Sequence, residues 1–117
     1  EVDYWEELKD IMDWAETHVT STIYLCWAAQ AALYYYYGLQ KKLLDGKMFG
    51  LFWHEVMNRK VPLVRGFDDI FLAPHSRHTE VPVADVEECP DITILAKSED
   101  AGLYLAMAEE GRKIFIS

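Results

Sequence analysis

Cys26 is the residue whose surroundings best suit it to act as a nucleophile. It closes the uncharged, β-branched and apolar run Thr20 to Cys26 and stands directly before an alanine-rich segment. A cysteine at such a strand-to-helix turn is presented at the top of a sheet, and the N-terminus of the following helix favours its thiolate. The backbone N–H of Trp27 can then point at an oxyanion developing on an attacked carbonyl. Ala28 is small, as a tight turn needs, whereas Tyr24 is large and departs from a Gly-x-Cys-x-Gly form. The alternative is a core cysteine, since that residue is often buried. Cys89 lies among Glu87, Glu88, Pro90 and Asp91, whose charges disfavour a thiolate, and is read as incidental.

A thiolate that carries an acyl group also needs a base, and the chain offers His18, His54, His75 and His78. His18 ends a helical segment, where a cation suits the dipole, and reads as structural. His75 and His78 bracket Ser76 and Arg77. With Asp68 or Asp69 they could hold a metal, but the spacing matches no strong template and no metal is expected. Ser76 and Arg77 could bind a carboxylate or phosphate from a polar loop, or form a solvated turn. Lys47, beside Gly46 at a loop-to-strand junction, reads as a surface lysine by default. There is no P-loop, no dinucleotide glycine fingerprint and no C-x-x-C.

The elements that must position these residues are legible from periodicity. Tyr4, Leu8, Ile11, Met12, Ala15 and Val19 recur at spacings of three and four, which predicts an amphipathic helix over 4–19. Asp3 is its expected N-cap, with Glu6 completing a capping-box pattern. Residues 20–26 read as a buried strand. A second helix is predicted over 27–37, with Gly38 as its C-terminal cap. Helix, buried strand, sharp turn and helix form an α/β pattern with parallel strands. Met48 to Val56 reads as a strand, and Gly66 to Leu72 leads into a polar loop from Pro74 to Thr79. Val83 to Glu88 suits a short helix and Ile92 to Ala96 a strand. Leu103 to Ala108 and Lys113 to Ile116 form a hairpin around Gly111.

At 117 residues the chain fits one small domain or a piece of a larger one. It is 51% apolar and 26% charged, the balance of a globular chain rather than a disordered one. No apolar run reaches the roughly 20 residues that span a bilayer, and no secretory leader pattern opens it. Two cysteines suit a reducing compartment, so a cytoplasmic location is expected. The net charge of -9 argues against nonspecific nucleic-acid binding. Residues 19–79 nevertheless carry +3, between two segments at -6 each. That relatively basic island is the part most able to accept an anion, although ordinary surface variation would look the same.

Several blocks resemble the homoserine O-acyltransferase family, the homoserine O-succinyltransferases and O-acetyltransferases of methionine biosynthesis. They are Val2 to Trp5, Thr20 to Thr22, Cys26 to Tyr34 with Tyr37 and Gly38, Lys47 to Gly50, Arg65 to Asp69, and Phe71 to His78. The resemblance implies an α/β sandwich like that of class I glutamine amidotransferases, with a nucleophile elbow and a Cys-His-Glu site. It makes Cys26 the cysteine that becomes an acyl-thioester, with the Trp27 N–H as an oxyanion donor, and makes Lys47 and Ser76 substrate-contacting positions. Arg77 adjoins them without an assigned role. The implied reaction moves a succinyl or acetyl group from acyl-coenzyme A to the hydroxyl of L-homoserine, with no cofactor, in a protein expected to dimerise.

The family's base lies in a Gly-His-Pro-Glu segment after a strand like Ile114 to Ser117. Residues 1–117 are therefore expected to be a partial acyltransferase domain, without the upstream strands and without that His and Glu. Two rivals stay open: a Cys-His-Glu hydrolase of the amidotransferase type, and a fragment that folds or associates without catalysis.

Overall fold

The structure is a computed structural model that describes residues 3–57, 62–64, 66 and 68–117, excluding the side chain of Asp45. Val2, Arg65 and Phe67 of the blocks above lie outside the described residues. Helix α1 (Trp5–His18) leads to strand β1 (Thr22–Leu25) and helix α2 (Trp27–Tyr37). Strands β2 (Lys42–Val56) and β3 (Ile70–Glu80), the short helix α3 (Val83–Glu87) and strands β4 (Ile92–Ser98), β5 (Gly102–Ala108) and β6 (Lys113–Ile116) follow. One six-stranded sheet runs in the order β1-β6-β5-β4-β2-β3. Among the described residues no helix is long and apolar enough to cross a membrane.

The expected run of parallel strands is corrected: among the described residues only β1 and β6 pair in parallel, and the other pairs are antiparallel. Short turns between β4, β5 and β6 favour hairpins, whereas the parallel pair needs everything between residues 25 and 113 as its crossover.

Alternation along β6 divides the core. Phe115 is fully buried in a cluster with Met12, Tyr24, Ala29, Ala32 and Leu33 from the two long helices and β1. Ile114 and Ile116 turn to a second cluster, around Val56, Leu95 and Leu105. Tyr24 stacks on Phe115 with centroids 5.5 Å apart. Its hydroxyl is 2.9 Å from that of Tyr36, which in turn donates to the carbonyl of Met12 at 2.9 Å. Burial and the Tyr24 hydrogen bond hold the Tyr36 hydroxyl well above the ordinary phenol range.

Helix α2 has its predicted bounds. Gly38 is left-handed at φ 72°, and its N–H and that of Leu39 bond the carbonyls of Tyr34 (2.8 Å) and Leu33 (3.2 Å). The start of α1 differs from expectation. Tyr4, not Asp3, holds the cap position, and no side chain caps the helix. Aromatic packing sets the start instead: Tyr4 meets Trp27 at 6.1 Å and Trp5 meets Tyr35 at 6.2 Å. At its other end His18 bonds the carbonyl of Trp14 at 2.9 Å and stacks on the Trp14 ring. Arg112 donates to the carbonyls of Ala15, Glu16 and Val19, satisfying the last turn.

The polar segment Pro74 to Thr79 is not a loop but the middle of β3. Its backbone pairs residue by residue with β2, Leu51 opposite Pro74, Gly50 opposite His75 and Met48 opposite Arg77. β3 is the last strand of the sheet, where a proline is tolerated. β2 also begins earlier than expected, with a register shift between Leu43 and Met48 that puts Lys47 in an irregular stretch of strand.

One face of this ribbon is apolar and exposed, formed by Phe49, Leu51 and Trp53 with Ile70 and Leu72 opposite. The other face buries His54 and His75, only 1% and 4% exposed. The His54 Nδ1–H donates to the carbonyl of Phe52 at 2.8 Å, so the neutral ring accepts at Nε2, 2.7 Å from Nε2 of His75. Nδ1 of His75 is then a buried acceptor without a partner. Burial first, then the nearby Arg77 cation and His54, push His75 down to about 4; burial also lowers His54.

Both rings are neutral in the folded protein, so the unfolded chain binds more protons below the ordinary histidine range. Stability is complete above about pH 6.5 and declines as the pH falls toward 4. Urea unfolding at pH 7.5 and 4.5 should differ by roughly 2–3 kcal/mol on account of His75. His75→Gln should flatten that dependence; an equally steep profile in the variant would show that His75 does not drive it.

Candidate active site

Cys26 occupies the single residue between β1 and α2. Its backbone takes φ 54° and ψ -121°, a conformation non-glycine residues rarely adopt. Its N–H bonds the carbonyl of Ile116 at 2.7 Å, extending the β1–β6 ladder, while its carbonyl accepts from Ala29 at 3.0 Å in the first turn of α2. The side chain is exposed at the helix N-terminus. The large Tyr24 fits two positions earlier because its ring turns into the core rather than toward Cys26. The expected elbow is therefore formed, and Trp27 opens the helix, where the first N–H groups have no intrahelical acceptor.

Beside Cys26 lies a cavity of about 790 Å³. Ser76 and Arg77 of β3 line it together with Cys26, Trp27, Gln30 and Lys41. Among the described residues no Asp or Glu lines it, and Lys41 and Arg77 are the cationic side chains there. Ser76 is exposed on the strand rather than in a turn. Lys47 does not line this cavity; its ammonium lies 5.3 Å from the ring centroid of Phe49, which does. Thus Cys26, Trp27 and Ser76 are brought together, and Lys47 stands one residue layer away.

Gln30, which the sequence reading did not single out, and Arg77, read there only as a possible anion binder, hold this arrangement. Gln30 is buried, and its carboxamide makes a reciprocal pair with Thr79: Nε2 donates to the Thr79 carbonyl at 2.9 Å, and the Thr79 hydroxyl donates to Oε1 at 2.8 Å. This ties the first turn of α2 to β3. Arg77 donates to the carbonyls of Ala101 and Leu103 and to the Ser117 hydroxyl. Burial pulls its basicity down, and the charges of Glu80 and Cys26 pull it back. Its Nε is buried without a partner. The inward alternation Ala73, His75, Arg77, Thr79 would have marked Arg77 and the Thr79 partner of Gln30, had the segment been read as a strand.

Among the described residues no histidine hydrogen-bonds Cys26. His75 and His78 line the same cavity, but His75 is engaged by His54. No group of three or more His, Cys, Asp or Glu side chains is arranged to hold a metal among the described residues. Cys89, a free thiol after α3, packs partly buried against the helix-side core.

A family model described as homoserine O-succinyltransferase matches residues 1–117. A homoserine O-acetyltransferase of Agathobacter rectalis is 59% identical over 116 residues, covering 99% of this chain and 37% of the relative. That of Lachnoclostridium phytofermentans is 60% identical, covering 99% and 38%. That of Bacteroides thetaiotaomicron is 56% identical, covering 100% and 38%. The chain thus spans little more than a third of the length of these curated relatives. Among solved structures, a protein from Thermoplasma acidophilum assigned to GMP synthase superposes with a TM-score of 0.75 at 14% identity, over 95% of this chain and 53% of the other. A glutamine amidotransferase from Thermotoga maritima gives 0.62 at 13% identity, over 96% and 44%. At such identities the likeness is one of fold, the class I glutamine amidotransferase-like arrangement. With the whole sequence matched by the family model and more than half of it identical in each of these relatives, this chain belongs to the homoserine O-succinyltransferase family.

Proposed function

We propose that residues 1–117 supply the nucleophile and one wall of the substrate pocket of a homoserine O-acyltransferase. The observation that carries this reading is Cys26, exposed in a strained turn at a helix N-terminus and facing a carboxylate-free cavity shared with Ser76. The names of the relatives support homoserine as the acceptor. In the proposed first step the Cys26 thiolate attacks the carbonyl carbon of acyl-coenzyme A. A new S–C bond forms, the donor's C–S bond breaks, and the coenzyme leaves as a thiolate that takes up a proton. The Trp27 N–H is the proposed donor to the oxyanion of the tetrahedral intermediate.

In the second step the γ-hydroxyl of L-homoserine attacks the acyl-cysteine and restores the thiol. A general base must take the hydroxyl proton, and removing such a base typically costs 10²–10⁴-fold. Following the family resemblance, whose base lies in a Gly-His-Pro-Glu segment, we assign that base to a segment outside these residues. O-acylhomoserine would then feed methionine biosynthesis. Acetyl and succinyl donors are chemically equivalent at Cys26, so the donor is read out by assay.

Limited iodoacetamide labelling near neutral pH should modify Cys26 before Cys89, since the former is exposed at a helix N-terminus and the latter partly buried. Incubation with acetyl- or succinyl-coenzyme A should add one acyl mass to Cys26, and Cys26→Ser should abolish it. Labelling of Cys89 first, or acylation surviving in Cys26→Ser, would remove Cys26 from the reaction. Glutamine hydrolysis without acyl transfer would instead mark a hydrolase.

In the complete enzyme Ser76→Ala should lower kcat/KM roughly tenfold to a hundredfold, the equivalent of about 1.5–3 kcal/mol for a contact to a charged group. Lys47→Ala should have the smaller effect, because the lysine stands outside the cavity. Steady-state kinetics on both variants decide; equal wild-type values would exclude both as substrate contacts.

A further inference from the structure

A second cleft, of about 460 Å³, opens between the start of α1 and the first turns of α2. We propose that it receives the thiol-bearing arm of the acyl donor, the amide-and-methylene chain that joins the thioester to the donor's phosphates. This rests on the acyltransferase reading above.

The two cavities share a wall: Trp27, Gln30 and Lys41 line both. A donor whose carbonyl is at Cys26 therefore has this cleft as a neighbouring channel for the chain behind its sulfur. The lining suits that chain. Trp5 and Tyr34 face one another at 6.0 Å, and Trp27 is braced by Tyr4, giving broad apolar surfaces for methylenes and for flat amide planes. Gln40 adds a carboxamide that can pair with an amide. Lys41 lies 5.9 Å from the Trp27 ring centroid and has no carboxylate partner among the described residues. Its charge is free for a phosphate. An apolar aromatic cleft with a few convergent polar groups is the usual form of a small-molecule site.

The competing cavity has the opposite chemistry. It measures about 630 Å³, and Glu55, Glu80, Glu99 and Asp100 line it against the single cation of Lys97. It shares no lining residue with the Cys26 cavity. An anionic donor is disfavoured there by the excess of carboxylates.

The test compares two donors of one acyl group in the complete enzyme: the coenzyme A thioester, and the N-acetylcysteamine thioester, which lacks most of the arm and all of the phosphates. Tyr34→Ala is the informative variant, because Tyr34 lines the arm cleft but not the Cys26 cavity and is half exposed in the fold. The wild-type preference in kcat/KM for the coenzyme A thioester should shrink roughly tenfold in Tyr34→Ala, with the KM for homoserine kept. Quenching of tryptophan fluorescence by coenzyme A in the Cys26→Ser background should weaken by a similar factor. An unchanged donor preference, whether both donors are spared or both are lost in proportion, would overturn the assignment of the cleft. Failure of the wild-type enzyme to transfer from either donor would instead overturn the acyltransferase reading, and the cleft assignment with it.

Discussion

Two four-residue strands, β1 and β6, lie parallel at one end of the sheet, and the stack of Tyr24 on Phe115 is the contact between them that everything else follows. It fixes which side of each strand faces the helices. With Tyr24 turned inward, the alternation of a strand sends its neighbours outward. The chain must then reverse within one residue to begin α2. The Cys26 N–H is still held by Ile116 at that point, so the ladder continues up to Cys26 itself. A large ring two positions before a tight turn is tolerated because the core, not the turn, receives it.

The remainder of the cavity depends on polar ties across long stretches of chain. Gln30 and Thr79 satisfy one another's amide and hydroxyl groups, and in doing so hold the edge strand β3 against the helix that carries Cys26. Arg77 spreads its guanidinium over the β4–β5 turn and the end of β6. A partly buried guanidinium is costly unless its N–H groups find acceptors, and carbonyl oxygens at fixed positions provide them for its two terminal nitrogens, though not for Nε. The same charge disfavours a second cation beside it, which is one reason the neighbouring His75 is held neutral.

Legibility in the sequence followed the range of the interactions. Helix α2 was readable to its ends because its signals are local: an alanine-rich run, a cysteine before it, and a glycine whose left-handed cap the structure retains. The elbow was readable for the same reason. The strand character of β3 was not, since Pro74, His75, Ser76, Arg77 and His78 have turn-like composition and become a strand only by pairing with β2. Mistaking that strand for a loop concealed the burial of His75 and the roles of Arg77 and Thr79. Asp3 failed as a cap because aromatic packing between α1 and α2 decided where the helix begins. Lys47 was a substrate-contacting position by resemblance alone; it falls in the irregular stretch of β2 between Leu43 and Met48, where no periodicity could have placed its side chain.

The backbone of Cys26 sets stability against the proposed chemistry at one position. A side chain held at positive φ typically costs about 1–3 kcal/mol, and glycine would adopt the same turn without that cost. Because the thiol is exposed, its loss would open no cavity in the core. Cys26→Gly is therefore a substitution that selection for stability alone would reward, and one that removes the only sulfur lining the pocket among the described residues. A protein under no demand but to fold would drift toward glycine there. Under the proposed function, the thiol is what that strained geometry is there to present.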